Sequence, residues 1–150
     1  MKSFQFRLDT VLRLRQQQVE TEQRKLHQLL AEQDQLKKCL ELVAREREEA
    51  AQFVREHRAP GNRDLRALAS YILGSQARLV TIQSALQNLD RALAEQKAVV
   101  VRAKQKQELM TKLREKQAQE WMQEANRQME AESQECWTAS WQRTRTNPRN

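Results

Sequence analysis

With only 2 Gly and 2 Pro in 150 residues, the chain has almost no turn chemistry for a many-element globule. Aromatic residues are 5% and charged residues 31%, which starves strands and matches the composition of long helices and coiled coils. The formal charge of +7 comes from 27 Lys+Arg diluted by 20 Asp+Glu, unlike a dedicated nucleic-acid arm.

The N-terminal run Met1-Lys2-Ser3-Phe4-Gln5-Phe6-Arg7-Leu8-Asp9 meets charge before any apolar stretch develops, so no signal peptide is expected. No run approaches the roughly 18 apolar residues that a bilayer span needs. Cys39 and Cys136 are too few for a disulfide framework, which fits a reducing, cytoplasmic setting.

The pattern predicts an all-α fold: a long antiparallel two-helix coiled-coil hairpin with an overhanging C-terminal helix and a disordered tail. Residues 1–143 form one hairpin, with helix 1 over about 4–58, a turn at 59–62 and helix 2 over about 63–140. In helix 1 the rows are Leu12, Val19, Leu26, Leu40, Val54 and Leu8, Leu29, Leu36, Val43, Ala50. Their spacing is that of a left-handed supercoiled seam. Arg15, Glu22, Gln33 and Arg47 interrupt it, as Ser75 and Gln96 do in helix 2, and they are candidates for fixing register.

Ala59-Pro60-Gly61-Asn62 breaks the pattern once. Pro removes a donor and Gly accepts left-handed angles, while Asn62 is placed to cap helix 2 with Asp64 in its first turn. Helix 2 carries the rows Leu65, Ile72, Leu79, Leu86, Leu93, Val100 and Leu68, Ile82, Leu89, Ala103. Gly74 is expected at a close helix contact. Residue 6 is expected opposite about residue 115, so the chain beyond about 117 has no partner helix, and 144–150 reads as the tail.

No catalytic constellation emerges, and neither a cofactor nor a metal is expected. His27 and His57 lie about 45 Å apart along one helix and cannot share an ion. Three features point to protein contacts instead. Phe4, Phe6, Leu8, Val11, Leu12 and Leu14 exceed what a two-helix seam consumes. Arg102, Lys104, Lys106, Lys112, Arg114 and Lys116 form a basic stretch in which Leu109 and Leu113 supply apolar contact at i,i+4 spacing. Trp121, Trp137 and Trp141 fall where no intrachain partner is expected.

Phe4-Gln5-Phe6-Arg7-Leu8-Asp9-Thr10-Val11-Leu12, followed by an Arg/Gln/Glu-rich heptad helix, resembles the flagellar FliJ family. The likeness continues through the break near residue 60, through Tyr71-Ile72, and to Gln107-Glu108-Leu109-Met110-Thr111-Lys112-Leu113-Arg114-Glu115-Lys116; it covers about residues 4–133.

The resemblance implies a non-enzymatic component of the flagellar type III export apparatus, an antiparallel coiled coil similar to the central stalk of rotary ATPases. It implies three partners: the hexameric export ATPase, the cytosolic domain of the export gate, and export chaperones. The expected ATPase surface is Phe4, Phe6, Arg7, Leu8, Leu12, Leu109, Lys112, Leu113, Arg114 and Lys116. Tyr71 and Ile72 are the expected contact with the gate or a chaperone. The chain is expected to be a monomer alone, cytoplasmic and only peripherally associated with the membrane at the flagellar base, with no nucleic acid bound. The alternatives are a basic nucleic-acid-binding coiled coil, which would concentrate its positive charge, and a dimeric structural spacer, which the Pro-Gly break disfavours.

Overall fold

The computed structural model describes residues 3–57 and 61–146. Among them are two helices and no strand: α1, Asp9–Glu56, and α2, Asn62–Thr146. They pack against each other as an all-α helical hairpin. The chain is organised in two compact units, one built from Met1–Gln17 with Gln105–Asn150 and the other from Gln18–Lys104.

The Gln18–Lys104 unit is a heptad seam. Val19, Val43, Leu93 and Val100 are buried, while Leu26, Leu29, Leu36, Leu40, Ile72, Leu79, Leu86 and Leu89 are partly buried. Leu65 departs from its expected place and is 47% exposed, because it lies in the first turn of α2, where α1 has already run out. Polar seam residues pair across the helices. Gln33 Nε2 donates to Asp90 Oδ1 at 2.7 Å, and Arg47 donates to Gln76 Oε1 at 3.1 Å. Gln96 Nε2 donates to Glu22 Oε2 at 2.6 Å and to the Glu22 carbonyl at 3.0 Å. Ser75 is 1% exposed, and its hydroxyl donates back to the Ile72 carbonyl at 2.9 Å.

Gly74, the expected close contact, faces open space instead: a Cβ there would meet nothing within 4 Å. The small seam residue is its neighbour Ser75, one position further round the helix. Ala59 and Pro60 lie outside the described residues. Gly61 does not use a left-handed angle. It caps α2 in place of Asn62, which is already the first helical residue. The Gly61 carbonyl accepts the amides of Asp64 at 3.0 Å and Leu65 at 3.2 Å, and the Gly61 amide donates to Asp64 Oδ2 at 3.4 Å. The Asp64 carboxylate thus supplies the acidic half of a capping box, and Gly61 has no side chain for the other half.

In the other unit, Phe6, Leu12 and Ala125 are buried. Helix α1 starts at Asp9 rather than near residue 4, since the residues ahead of it turn to place aromatic rings on α2. The Phe6 carbonyl accepts the Asp9 amide at 3.1 Å, and the Leu8 carbonyl accepts the Leu12 amide at 2.9 Å. Asp9 then suits the positive N-terminal end and pairs with Arg13 at 2.8 Å.

Helix α2 runs to Thr146, past both the expected end near 140 and the expected start of the tail at 144. The hydroxyls of Thr138, Ser140, Thr144 and Thr146 donate to carbonyls three or four residues back, and Arg143 and Arg145 suit the negative C-terminal end. Nothing in the sequence opposes the helix before Asn147, which precedes Pro148. Residues 147–150 lie outside the described set.

Candidate partner-binding surfaces

The ten residues expected to meet an ATPase all fall in the Met1–Gln17/Gln105–Asn150 unit, but they do not form one surface. Phe6 and Leu12 are 8% and 3% exposed, so they belong to the core and offer nothing to a partner. Phe4 is partly buried and its ring lies 6.2 Å from that of Trp121, tilted by 51°. Trp121 therefore has the intrachain partner that sequence reasoning denied it. The signal was present in the Phe-x-Phe alternation, which suits an extended lead-in with both rings on one side better than a helix.

Phe4, Gln5, Phe6 and Asp9 line a small hollow with Arg114. A second hollow is lined by Gln105, Glu108, Leu109 and Lys112. Leu109, Lys112, Leu113 and Lys116 stand at i, i+3, i+4 and i+7 and so share a helix face, whereas Arg114 lines the hollow with the N-terminal residues. Leu109 is 66% exposed and Leu113 partly buried. Arg7, Leu8, Lys112, Arg114 and Lys116 are exposed.

Lys112 donates to Glu108 at 2.8 Å, and Lys116 lies 3.9 Å from Glu120. The hydrogen bond from Lys112 holds the Glu108 carboxyl below its ordinary 4.5 and the bond to Glu108 holds the ammonium above its ordinary 10.5. Two of the four expected cations are thus partly neutralised within the helix. Arg7 and Arg114 have no ion pair among the described residues.

The Gln18–Lys104 unit holds a hollow of about 610 Å³ between the end of α1 and the start of α2, lined by Ala50, Phe53, Val54, His57, Asp64, Ala67, Leu68 and Tyr71. Phe53 is 65% exposed, and its ring lies 4.8 Å from that of His57. Tyr71 donates its hydroxyl to Glu46 Oε2 at 3.5 Å. Tyr71 and Ile72 are both partly buried, so they face the seam and the hollow more than solvent. Leu73 and Val80, seven residues apart, are the outward apolar residues of this stretch. The heptad count passes over them, since it records only the inward rows.

Cys39 and Cys136 are both free and exposed. Among the described residues no group of His, Cys, Asp and Glu could hold a metal ion, and no helix is long and apolar enough to cross a membrane. These features define an all-α helical hairpin whose seam is filled by side chains.

The chain matches the family model described as Flagellar FliJ protein over residues 4–145, nearly its whole length. It belongs to the FliJ family, and is therefore a flagellar export-related protein. No curated protein and no solved structure matches it.

Proposed function

We propose that the chain is a non-enzymatic stalk and adaptor of the flagellar type III export apparatus, coupling the hexameric export ATPase to the membrane export gate and assisting export chaperones. The observation that carries this reading is the family match over 4–145 on an all-α hairpin. In this reading the protein is cytoplasmic, stands peripherally at the inner face of the membrane at the flagellar base, and is a monomer at micromolar concentration.

Of the residues expected to meet the ATPase, only the exposed ones remain as its docking set: Arg7, Leu8, Leu109, Lys112, Arg114 and Lys116. Phe4, Phe6, Leu12 and Leu113 support them from beneath. Apolar burial at Leu8 and Leu109 supplies affinity, while Arg7 and Arg114 steer encounter. The gate or chaperone is assigned to the stretch at Tyr71 and Ile72, where Leu73 and Val80 offer the outward apolar contact. A nucleic-acid role is disfavoured because Lys112 and Lys116 are engaged by acids of their own helix.

The test is a pull-down from flagellated cells with the full chain as bait. Recovery of a hexameric ATPase and the gate's cytosolic domain supports the assignment; recovery of nucleic acid alone refutes it.

A further inference from the structure

Residues 126–146 of α2 are exposed along their whole length, apart from the partly buried Ala139. Trp137 and Trp141 are 66% and 53% exposed, one helical turn apart, with ring centroids 6.5 Å apart and planes only 12° from parallel. The Arg145 guanidinium lies 5.2 Å from the centre of the Trp141 ring. A paired, pre-ordered aromatic patch of this kind on a helix with no neighbour is an interface feature, because tryptophan concentrates apolar area in few rotatable bonds.

The charges beside the patch are polarised. Upstream stand Glu130, Glu132 and Glu135; downstream stand Arg143 and Arg145, with no acid between 136 and 146. None of these five has an ion-pair partner among the described residues. Two such helices laid parallel would set like charges against like. Laid antiparallel, with the crossing between residues 137 and 138, they place Arg145 opposite Glu130 on the tryptophan face, and symmetry repeats the pairing. Glu130, Trp137 and Thr144 recur at seven-residue steps with Ser133 and Trp141 between them, so acid, tryptophans and the Arg145 flank share one face.

We propose that this face of α2 docks onto the same face of a second copy of the chain, as a symmetric antiparallel pair. Trp137 and Trp141 of each copy pack at the crossing, and Glu130 and Arg145 close each end. The area offered is small, below the roughly 1,200 Å² at which standard interfaces begin, so the pair forms only at high local concentration.

Sedimentation equilibrium of the full chain, at about 5 µM and about 500 µM, reads the association directly. The average mass is expected to rise toward twice the monomer value at the higher concentration. Trp137→Ala with Trp141→Ala should weaken association at least about tenfold. Glu130→Arg and Arg145→Glu should each weaken it, while the two together in one chain should restore it, since the exchanged charges again face opposite sign. These charge variants lie on exposed helix, and circular dichroism checks that they stay helical. The proposal is overturned if the chain remains monomeric at the higher concentration, including the case in which tryptophan emission shifts only when the export ATPase is added. It is also overturned if the double charge exchange fails to restore pairing.

Discussion

The Gln96 side-chain amide bridges to Glu22 at two points, donating to its carboxylate at 2.6 Å and to its main-chain carbonyl at 3.0 Å. A main-chain acceptor does not move with a rotamer, so the bond ties the axial position of α2 to that of α1. An apolar seam alone tolerates a slide of one heptad; a polar pair at one level does not.

Replacing Gln96 by Ala should therefore lower the melting temperature and change its pH dependence. The Gln96 hydrogen bond, helped by Lys25, holds the Glu22 carboxyl below its ordinary 4.5. Because the folded value is the lower one, the ionised carboxylate stabilises the fold above about pH 4.5, and that contribution is lost as pH falls through the lowered value. Melting curves from about pH 7 down to about pH 2 should show a smaller acid-induced drop in Gln96→Ala than in the parent chain. Parallel curves would mean that the bond is not held in solution.

Seam depth should rank the leucines. Leu93 is 5% exposed, so Leu93→Ala is expected to cost about 2–5 kcal/mol, measured by denaturant unfolding. Leu86 is partly buried and should cost less. Leu73, at 73% exposure, should fall within about 0.5 kcal/mol of the parent.

The seam was legible because one rule, apolar residues every three or four positions, decides burial between two paired helices. Val19, Val43, Leu93 and Val100 needed nothing more. What the period cannot encode is the end of a helix and what lies past it. Phe6 is buried because the lead-in to α1 turns back onto α2, and Ala125 is buried in the same unit beyond the point where a straight pairing would have stopped. The candidate surface shared that fate at Phe6, which was chosen as surplus to the seam and proved to be core because its backbone lies ahead of the helix. Exposed Leu73 and Val80 were hidden for the opposite reason, since the heptad count records only the inward rows.

Phe6→Ala should accordingly act on stability and not on docking alone. Loss of a buried ring costs about 3–5 kcal/mol at a fully packed site. The loss should be local, freeing Phe4 from Trp121 and shifting tryptophan emission to the red. Hydrogen exchange should accelerate at Asp9 and Leu12 while Leu93 keeps its protection. Leu8→Ala, at a residue 37% exposed, should leave both readouts nearly unchanged.

The cap at Gly61 can be improved. A Cβ there would stand 3.7 Å from Asp64 Oδ2, an ordinary contact, and φ is not positive. Serine adds a side-chain acceptor for the first free amides of α2, so Gly61→Ser should stabilise by a few tenths of a kcal/mol. Asp64→Ala removes the return bond to the Gly61 amide and should destabilise by up to about 1 kcal/mol. Thermal melts of the pair decide; a serine variant that melts lower would place the cap elsewhere.

A test of ATPase docking must avoid both the core and the helix's own ion pairs. Lys112→Glu fails on the second count, for it sets two carboxylates at i,i+4 beside Glu108. The Glu108–Lys112 pair supports α2 only where both are charged. The raised Lys112 contributes below about pH 10.5 and is lost as pH climbs through its higher value, while the lowered Glu108 contributes above about pH 4.5. Leu109→Ser and Arg114→Glu are cleaner, since both residues are exposed and neither has an ion pair among the described residues. Leu109→Ser should weaken ATPase binding about tenfold through faster dissociation, as lost apolar burial does. Arg114→Glu should mainly slow association, and its deficit should shrink as salt screens the long-range attraction in the parent protein. Stopped-flow binding at two ionic strengths separates the two effects. Should both variants bind at the parent rates, the docking set is wrong, and the outward residues Leu73 and Val80 become the surface to examine.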